Sequence, residues 1–326
     1  MKLIVFSICK NEAKTIGKVL DLVPETIPGI HTIEKWVLSD GSTDGTVDVA
    51  ERHGAKVIDG RYQKRLAYRF QEAVDIALHA KADVMVNIDG DLQFDPRDIP
   101  RLIEPILKDG YDFVAADRFT DSETGKKRRP ENMPASKYWA NRLGARVVSI
   151  LTKEKFNDVT CGFRAYNRRA LLGINLNGKY TYTQESFQVL AMKRMNIATI
   201  PLGVKYYPDR KSRVVTNFTQ FLFGSGLNIL RAYRDFAPLR FFGLLSFVSA
   251  LAGIILLTFL GVHWLQEGKL TPYKSVGFIG IYFVTVGLFM LGLGLVADML
   301  QRLNNNQEKI LEKVKTIELM TSEENE

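Results

Sequence analysis

Cysteine is almost absent. Only Cys9 and Cys161 occur in 326 residues, so there is no disulfide framework and no metal-ligand spacing, and the pair fits a reducing compartment. Also missing is the G-x-G-x-x-G turn of a dinucleotide site. The first apolar run, LIVFSI (3–8), leads into ICKNE, and GSTDG (41–45) has the wrong spacing, which excludes a nucleotide-binding dehydrogenase. No nucleic-acid motif accompanies the net charge of +8. Anionic lipid headgroups and phosphorylated substrates are therefore the partners this charge favours, and nucleic acid is not expected. The N-terminus, MKLIVFSICKNE, carries an apolar run too short for a secretory signal, so the large N-terminal part is expected to stay in the compartment where it is made.

Charge is missing from two long stretches, Phe241–Val262 and Val276–Ala297. Each would span roughly 33 Å as a helix, the thickness of a bilayer's hydrocarbon core. Two such runs joined by a short polar loop predict a membrane hairpin, with Trp139 and Trp264 as interface anchors. Arg231, Arg234, Arg240 and Arg302 flank it on one side, whereas the loop His263–Ser275 has only Lys269 and Lys274 against Glu267. The positive-inside rule then places the N-terminal part and the tail in the cytoplasm. The expected organisation is a soluble domain over 1–214, a juxtamembrane amphipathic segment over 215–240, two transmembrane helices within 241–300, and a cytoplasmic helical tail over 301–326. In that tail Leu303, Ile310, Val314 and Ile317 recur at helical spacing, a pattern open to homo-oligomerisation.

Residues 1–118 alternate short apolar runs with amphipathic stretches. Strands are expected at 3–8, 36–40, 56–59, 83–89 and 112–117. Helices are expected over Asn11–Leu22, after GSTDG up to Gly54, over Arg65–Ala80, and between Pro96 and Gly110. Near-continuous apolar strands separated by helices predict an α/β fold, a mostly parallel sheet with helices on both faces. Such sheets bind ligands beyond the carboxyl ends of their strands, where Asp40, Asp89, Asp91 and Asp117 fall. Acids held that close repel one another and resist desolvation. In VMVNIDGDLQFDP (84–96) Asp89 and Asp91 flank Gly90, which lets both carboxylates aim at one point. Oxygen ligands so placed suit Mg²⁺ or Mn²⁺ carrying a substrate's diphosphate.

ICKNE, SDGSTDGT, NIDGDLQFDP, AADRF and NDVTCGFRAY, in this order, resemble the motifs of family 2 glycosyltransferases with the GT-A (Rossmann-like) fold. More narrowly they resemble the polyprenyl-phosphate glycosyltransferases, which include dolichyl-phosphate mannose synthase and the bacterial enzymes making undecaprenyl-phosphate glucose. The resemblance implies that Glu12 and Asp40 hold the nucleoside of a UDP- or GDP-sugar. It assigns Asp89 and Asp91 to the metal and diphosphate, with Gln93 completing the metal shell. Arg118 would neutralise a phosphate near the reaction centre, Arg164 would orient the acceptor, and Glu185 would face the sugar or shape its pocket. Arg210 and Arg213 match a basic segment over the donor phosphates.

The chain departs from the family at several places. Ser39–Asp40 offers one carboxylate where two are usual. RYQKRLAYRF replaces a glycine-rich segment, so Arg61, Lys64 and Arg69 become candidate diphosphate contacts. RKSR lacks the usual glycine, and Asn132 stands where an acceptor-phosphate arginine is usual. Arg128, Arg129, Ser136 and Lys137 are the remaining candidates for the acceptor phosphate. Asp158 reads either as a general base or as a turn acid, and Cys161 as a packing residue. The implied reaction moves a sugar, with inversion, from a nucleotide diphosphate to the phosphate of an undecaprenyl or dolichyl lipid. The alternatives are transfer to another membrane acceptor, or a catalytically silent membrane adaptor. A processive polysaccharide synthase would need a QxxRW-like motif and more spans, and neither is present.

Overall fold

A computed structural model describes residues 1–64, 66–176, 182–207, 234–235 and 237–324, without the side chains of 322–324. Arg210, Arg213, Arg231 and most of the juxtamembrane segment lie outside the described residues. Two compact units emerge, Met1–Thr216 together with Glu312–Glu326, and Asn217–Leu311.

The first unit is built on seven strands: β1 (Lys2–Cys9), β2 (Thr32–Asp40), β3 (Lys56–Gly60), β4 (Val84–Asn87), β5 (Phe113–Asp117), β6 (Arg164–Asn167) and β7 (Ile197–Pro201), in the order β3-β2-β1-β4-β6-β5-β7. Every neighbouring pair is parallel except the two that involve β6. Successive residues of β1 go to opposite faces. Leu3 and Val5 join one apolar cluster with Val37, Val84 and Val86, while Ile4 and Phe6 join another with Leu38 and Met85. A strand buried on both sides needs apolar residues at every position, which is why these strands read as unbroken runs.

Helices α1 (Ile16–Asp21), α2 (Thr46–Arg52) and α4 (Ile99–Asp109) feed the Leu3 cluster. The other cluster is fed by α3 (Leu66–His79), α5 (Ala135–Thr152), α6 (Arg168–Gly173) and α7 (Tyr182–Met192). Helix α1 is shorter than the expected Asn11–Leu22. Asn11 sits at φ 54°, and the backbone N–H groups of Glu12 and Ala13 go to Thr46 Oγ1 and Asp44 Oδ2. The first turn is thus used as a loop.

In the second unit, α8 (Pro238–Glu267) and the first part of α9 (Lys274–Glu324) carry the two apolar runs. In their most apolar windows only 11% and 17% of residues are buried. A core helix of a soluble protein would be mostly covered, so that reading does not apply. The helices approach closely where glycine removes the side chain. A Cβ at Gly253 would lie 2.6 Å from the Gly280 carbonyl oxygen, and one at Gly287 would lie 3.0 Å from that of Ser246. Ser249 Oγ also donates to the Phe283 carbonyl at 2.8 Å. Small residues and an interhelical hydroxyl bond are how helices pack without hydrophobic drive in lipid. The chain is anchored in the membrane by this pair.

The end of α9 belongs to the first unit. Glu312 Oε2 takes Lys193 Nζ at 3.3 Å, Lys315 Nζ donates to Asp75 Oδ1 at 3.1 Å, and Leu319 is buried in the α3/α7 cluster.

Candidate active site

The carboxyl ends of β1, β2, β4 and β5 share one rim of the sheet. Because β6 runs the other way, its beginning meets that rim, and this brings 158–162 alongside the loop that leaves β4. Two loops interlock at the other end. Asn11 N donates to Ser42 Oγ, Thr43 N to Asn11 Oδ1, and Thr46 N to Asp44 Oδ1. Burial pushes the Asp44 carboxyl up, but hydrogen bonds from Thr46 and Ala13 outweigh it and hold the group below its usual range.

Asp89 and Asp91 follow β4 and are half-buried. Asp91 Oδ1 accepts the Gln93 N–H at 3.0 Å, and the Gly90 carbonyl accepts Thr15 Oγ1 at 2.6 Å. Both neighbouring glycines are required by close approach. A Cβ at Gly90 would stand 2.6 Å from Cys9 Sγ, and one at Gly162 would stand 2.5 Å from Asp89 Oδ2. Burial, followed by the charges of Glu12, Asp89, Asp91 and Asp44, drives the Cys9 thiol far up. Asn87, polar in an otherwise apolar strand, secures the far side by donating to the Gly162 carbonyl at 2.8 Å and to Tyr182 Oη at 2.9 Å.

Among the described residues no three His, Cys, Asp or Glu side chains form a metal-holding group. The set Asp89 and Asp91, two carboxylates on either side of Gly90, fits an ion that takes few protein oxygens. Mg²⁺ and Mn²⁺ fill the rest of their shell with water and substrate phosphates. The residues present therefore fit such a group. Gln93 contributes its backbone: its N–H caps Asp91 and its carbonyl accepts Lys205 N at 2.9 Å.

Several sequence expectations change. Asp40 is only 6% exposed, and its Oδ1 is taken by Arg69 Nε (2.9 Å) and Lys64 N (2.8 Å). It holds the 61–64 loop over Gly41 rather than pointing outward. Arg69 is correspondingly not open to a diphosphate: it also binds Glu72 and the Tyr62 carbonyl. Arg118 is paired with buried Asp158 through Nε (2.6 Å) and Nη2 (2.9 Å), and reaches Thr160 Oγ1 and Tyr206 Oη. Its charge is offset before any phosphate arrives. Asp158 is likewise a structural partner and not a general base. Burial pushes its carboxyl up, but Arg118 and Thr160 outweigh that and hold it low.

Arg164 is fully buried. It donates to the Cys161 carbonyl at 2.6 Å and the Val159 carbonyl at 3.0 Å, and it lies 5.0 to 5.6 Å from the rings of Phe113, Tyr182 and Phe187. In this structure these carbonyls and rings enclose its guanidinium. It fixes the loop that presses Gly162 against Asp89. Glu185 is half-buried in the first turn of α7, one turn from Tyr182.

Of the residues expected at the acceptor phosphate, Ser136, Arg128 and Arg129 are exposed. Arg128 pairs with Asp121 at 3.0 Å, Asn132 Nδ2 donates to the Tyr206 carbonyl, and Lys137 Nζ lies 5.2 Å from the Tyr206 ring. Composition could not reveal Tyr206, Tyr182 or Thr15. Asn87 at the end of VMVN was the one legible signal.

Residues 4–173 match the family model described as glycosyl transferase family 2. The chain belongs to this family and is a glycosyltransferase. It is 28% identical to "Glycosyltransferase AglJ" of Haloferax volcanii over 93% of this chain and 95% of that one. It is 30% identical to the dolichyl-phosphate hexose transferase of the same organism over 67% of this chain and 86% of that one. Among solved structures, glucosyl-3-phosphoglycerate synthase from Mycobacterium tuberculosis, in complex with Mn²⁺, UDP and glucosyl-3-phosphoglycerate, superposes with a TM-score of 0.51. It is 21% identical and covers 70% of this chain and 79% of that chain. That likeness establishes the GT-A fold.

Proposed function

We propose that the enzyme transfers a sugar from a UDP- or GDP-sugar to the phosphate of a polyprenol, undecaprenyl or dolichyl, with inversion at the anomeric carbon. The observation that carries this reading is the pair Asp89 and Asp91 at the end of β4, with the Asp89 carboxylate seated against Gly162. The name of the dolichyl-phosphate hexose transferase relative supports the acceptor class, and the apolar hairpin supports a lipid substrate.

Asp89 and Asp91 would hold Mg²⁺ or Mn²⁺, which when bound offsets charge developing on the leaving diphosphate. Glu12 lines the donor side, and Asp40 shapes it through the 61–64 loop. Arg210 and Arg213, outside the described residues, remain candidates for the donor phosphates by sequence. A phosphate monoester has a second pKa near 6 and is largely dianionic at neutral pH, so it attacks without a strong general base. Arg128, Arg129, Ser136 and Lys137 then have the task of capturing that dianion. The arginines that flank the hairpin support a cytoplasmic side for the catalytic unit and tail.

The test is incorporation of radiolabelled sugar into extractable lipid, using UDP- and GDP-sugar panels with Mg²⁺ or Mn²⁺. Asp91→Asn is expected to abolish lipid labelling while the melting temperature is retained. A fully active Asp91→Asn enzyme refutes the site, and label found only in protein or glycolipid refutes the acceptor.

A further inference from the structure

Helix α9 runs without a break to Glu324. Along it Leu300, Leu303, Gln307, Ile310, Val314 and Ile317 recur at alternating spacings of three and four residues. The five apolar members are each more than half exposed, and Gln307 is exposed too. The other side of the helix is already committed. Glu312 and Lys315 pair with Lys193 and Asp75, and Leu319 is buried. If Val314 is heptad position a, these three fall at b and f, away from the a/d seam.

We propose that this seam is closed by the same helix of a second copy of the chain, in a parallel coiled coil. A 3.5-residue apolar repeat is complementary to itself. Two copies crossing one membrane twice in the same sense send their tails out on the same face, so the hairpin, independently of the reaction, makes the pairing parallel. Charge agrees with that direction. Lys313 at g and Glu318 at e lie five residues apart, the offset at which g of one strand meets e of the other. Gln307 places a single amide at an a position, which favours one register over its slipped neighbours. So short a helix associates weakly by itself, but confinement to the bilayer raises the effective concentration.

The test uses the full chain in its own membranes. The native thiols, Cys9 and Cys161, are each 1% exposed, so a single added cysteine reports alone. Under mild oxidation Val314→Cys and Ile317→Cys are expected to give a covalent homodimer, several-fold more than Lys309→Cys, which lies off the seam. Differently tagged copies should co-purify, and Ile310→Glu combined with Ile317→Glu should abolish this. Equal cross-linking at all three positions, none at 314 and 317, or adducts only to another protein would overturn the proposal. Because the readout is a covalent link, loss of glycosyl transfer leaves it unaffected.

Discussion

An added methyl at position 162 would put its carbon 2.5 Å from Asp89 Oδ2. Gly162→Ala is therefore expected to displace that carboxylate and lower kcat on the order of 10²-fold while the fold survives, as steady-state kinetics beside thermal melts would show. The Arg118–Asp158 pair behaves differently, since one partner is fully buried and the other 7% exposed. Asp158→Asn leaves an uncompensated guanidinium and should cost about 3–5 kcal/mol. Asp158 is held below the usual carboxylate range, so its contribution is complete above that range and is lost as pH falls through the depressed value. The gap between wild type and Asp158→Asn in denaturant melts should accordingly be widest near neutrality and close in acid. These charges also mark the limit of what residue types reveal. Asp89 and Asp91 were legible because two acids at a strand end have few bland explanations. The buried settings of Arg118 and Arg164, expected as contacts for a phosphate and for the acceptor, were not legible, because Asp158 is forty residues from one of them in sequence, and the carbonyls and rings around the other leave no local pattern.

At the scale of elements, β1 to β5 could be read from apolar runs because a two-sided sheet demands them. The short β6 (RAYN) begins with an arginine, and β7 (IATIP) is only half-buried throughout. Both owe their strand state to neighbours far along the chain, so neither was foreseen. Two elements offer direct tests. Leu319→Ala removes the apolar anchor of the α9 tail and should cost about 2 kcal/mol, with earlier proteolytic release of the tail as the readout. Gly280 lies against Leu257 and the Gly253 carbonyl, so Gly280→Leu should force α8 and α9 apart and lower the melting temperature in detergent. Gly292, which has open space around it, is the matched control.

For the molecule as a whole, the hairpin was the plainest reading in the sequence, since 22-residue uncharged runs have few other uses. The protein should stay with the membrane through an alkaline carbonate wash. A cysteine replacing Lys127 and one replacing Lys269 should label from opposite sides of sealed vesicles; labelling from the same side would contradict a two-span arrangement. The division of the tail was not legible, because one uninterrupted helix contributes to both compact units.

The reversed strand β6 has a corollary for how such enzymes diversify. The long excursion between β5 and β6 starts and finishes on adjacent rungs of one ladder, with Ala115 opposite Arg164 and the Ala116 N–H on the Phe163 carbonyl. Its exposed part, 122–129, can be lengthened or trimmed without disturbing the register of any strand. Arg128 and Arg129, proposed for the acceptor phosphate, fall in that part, so the proposed acceptor end can vary while Asp89 and Asp91 stay at the end of β4.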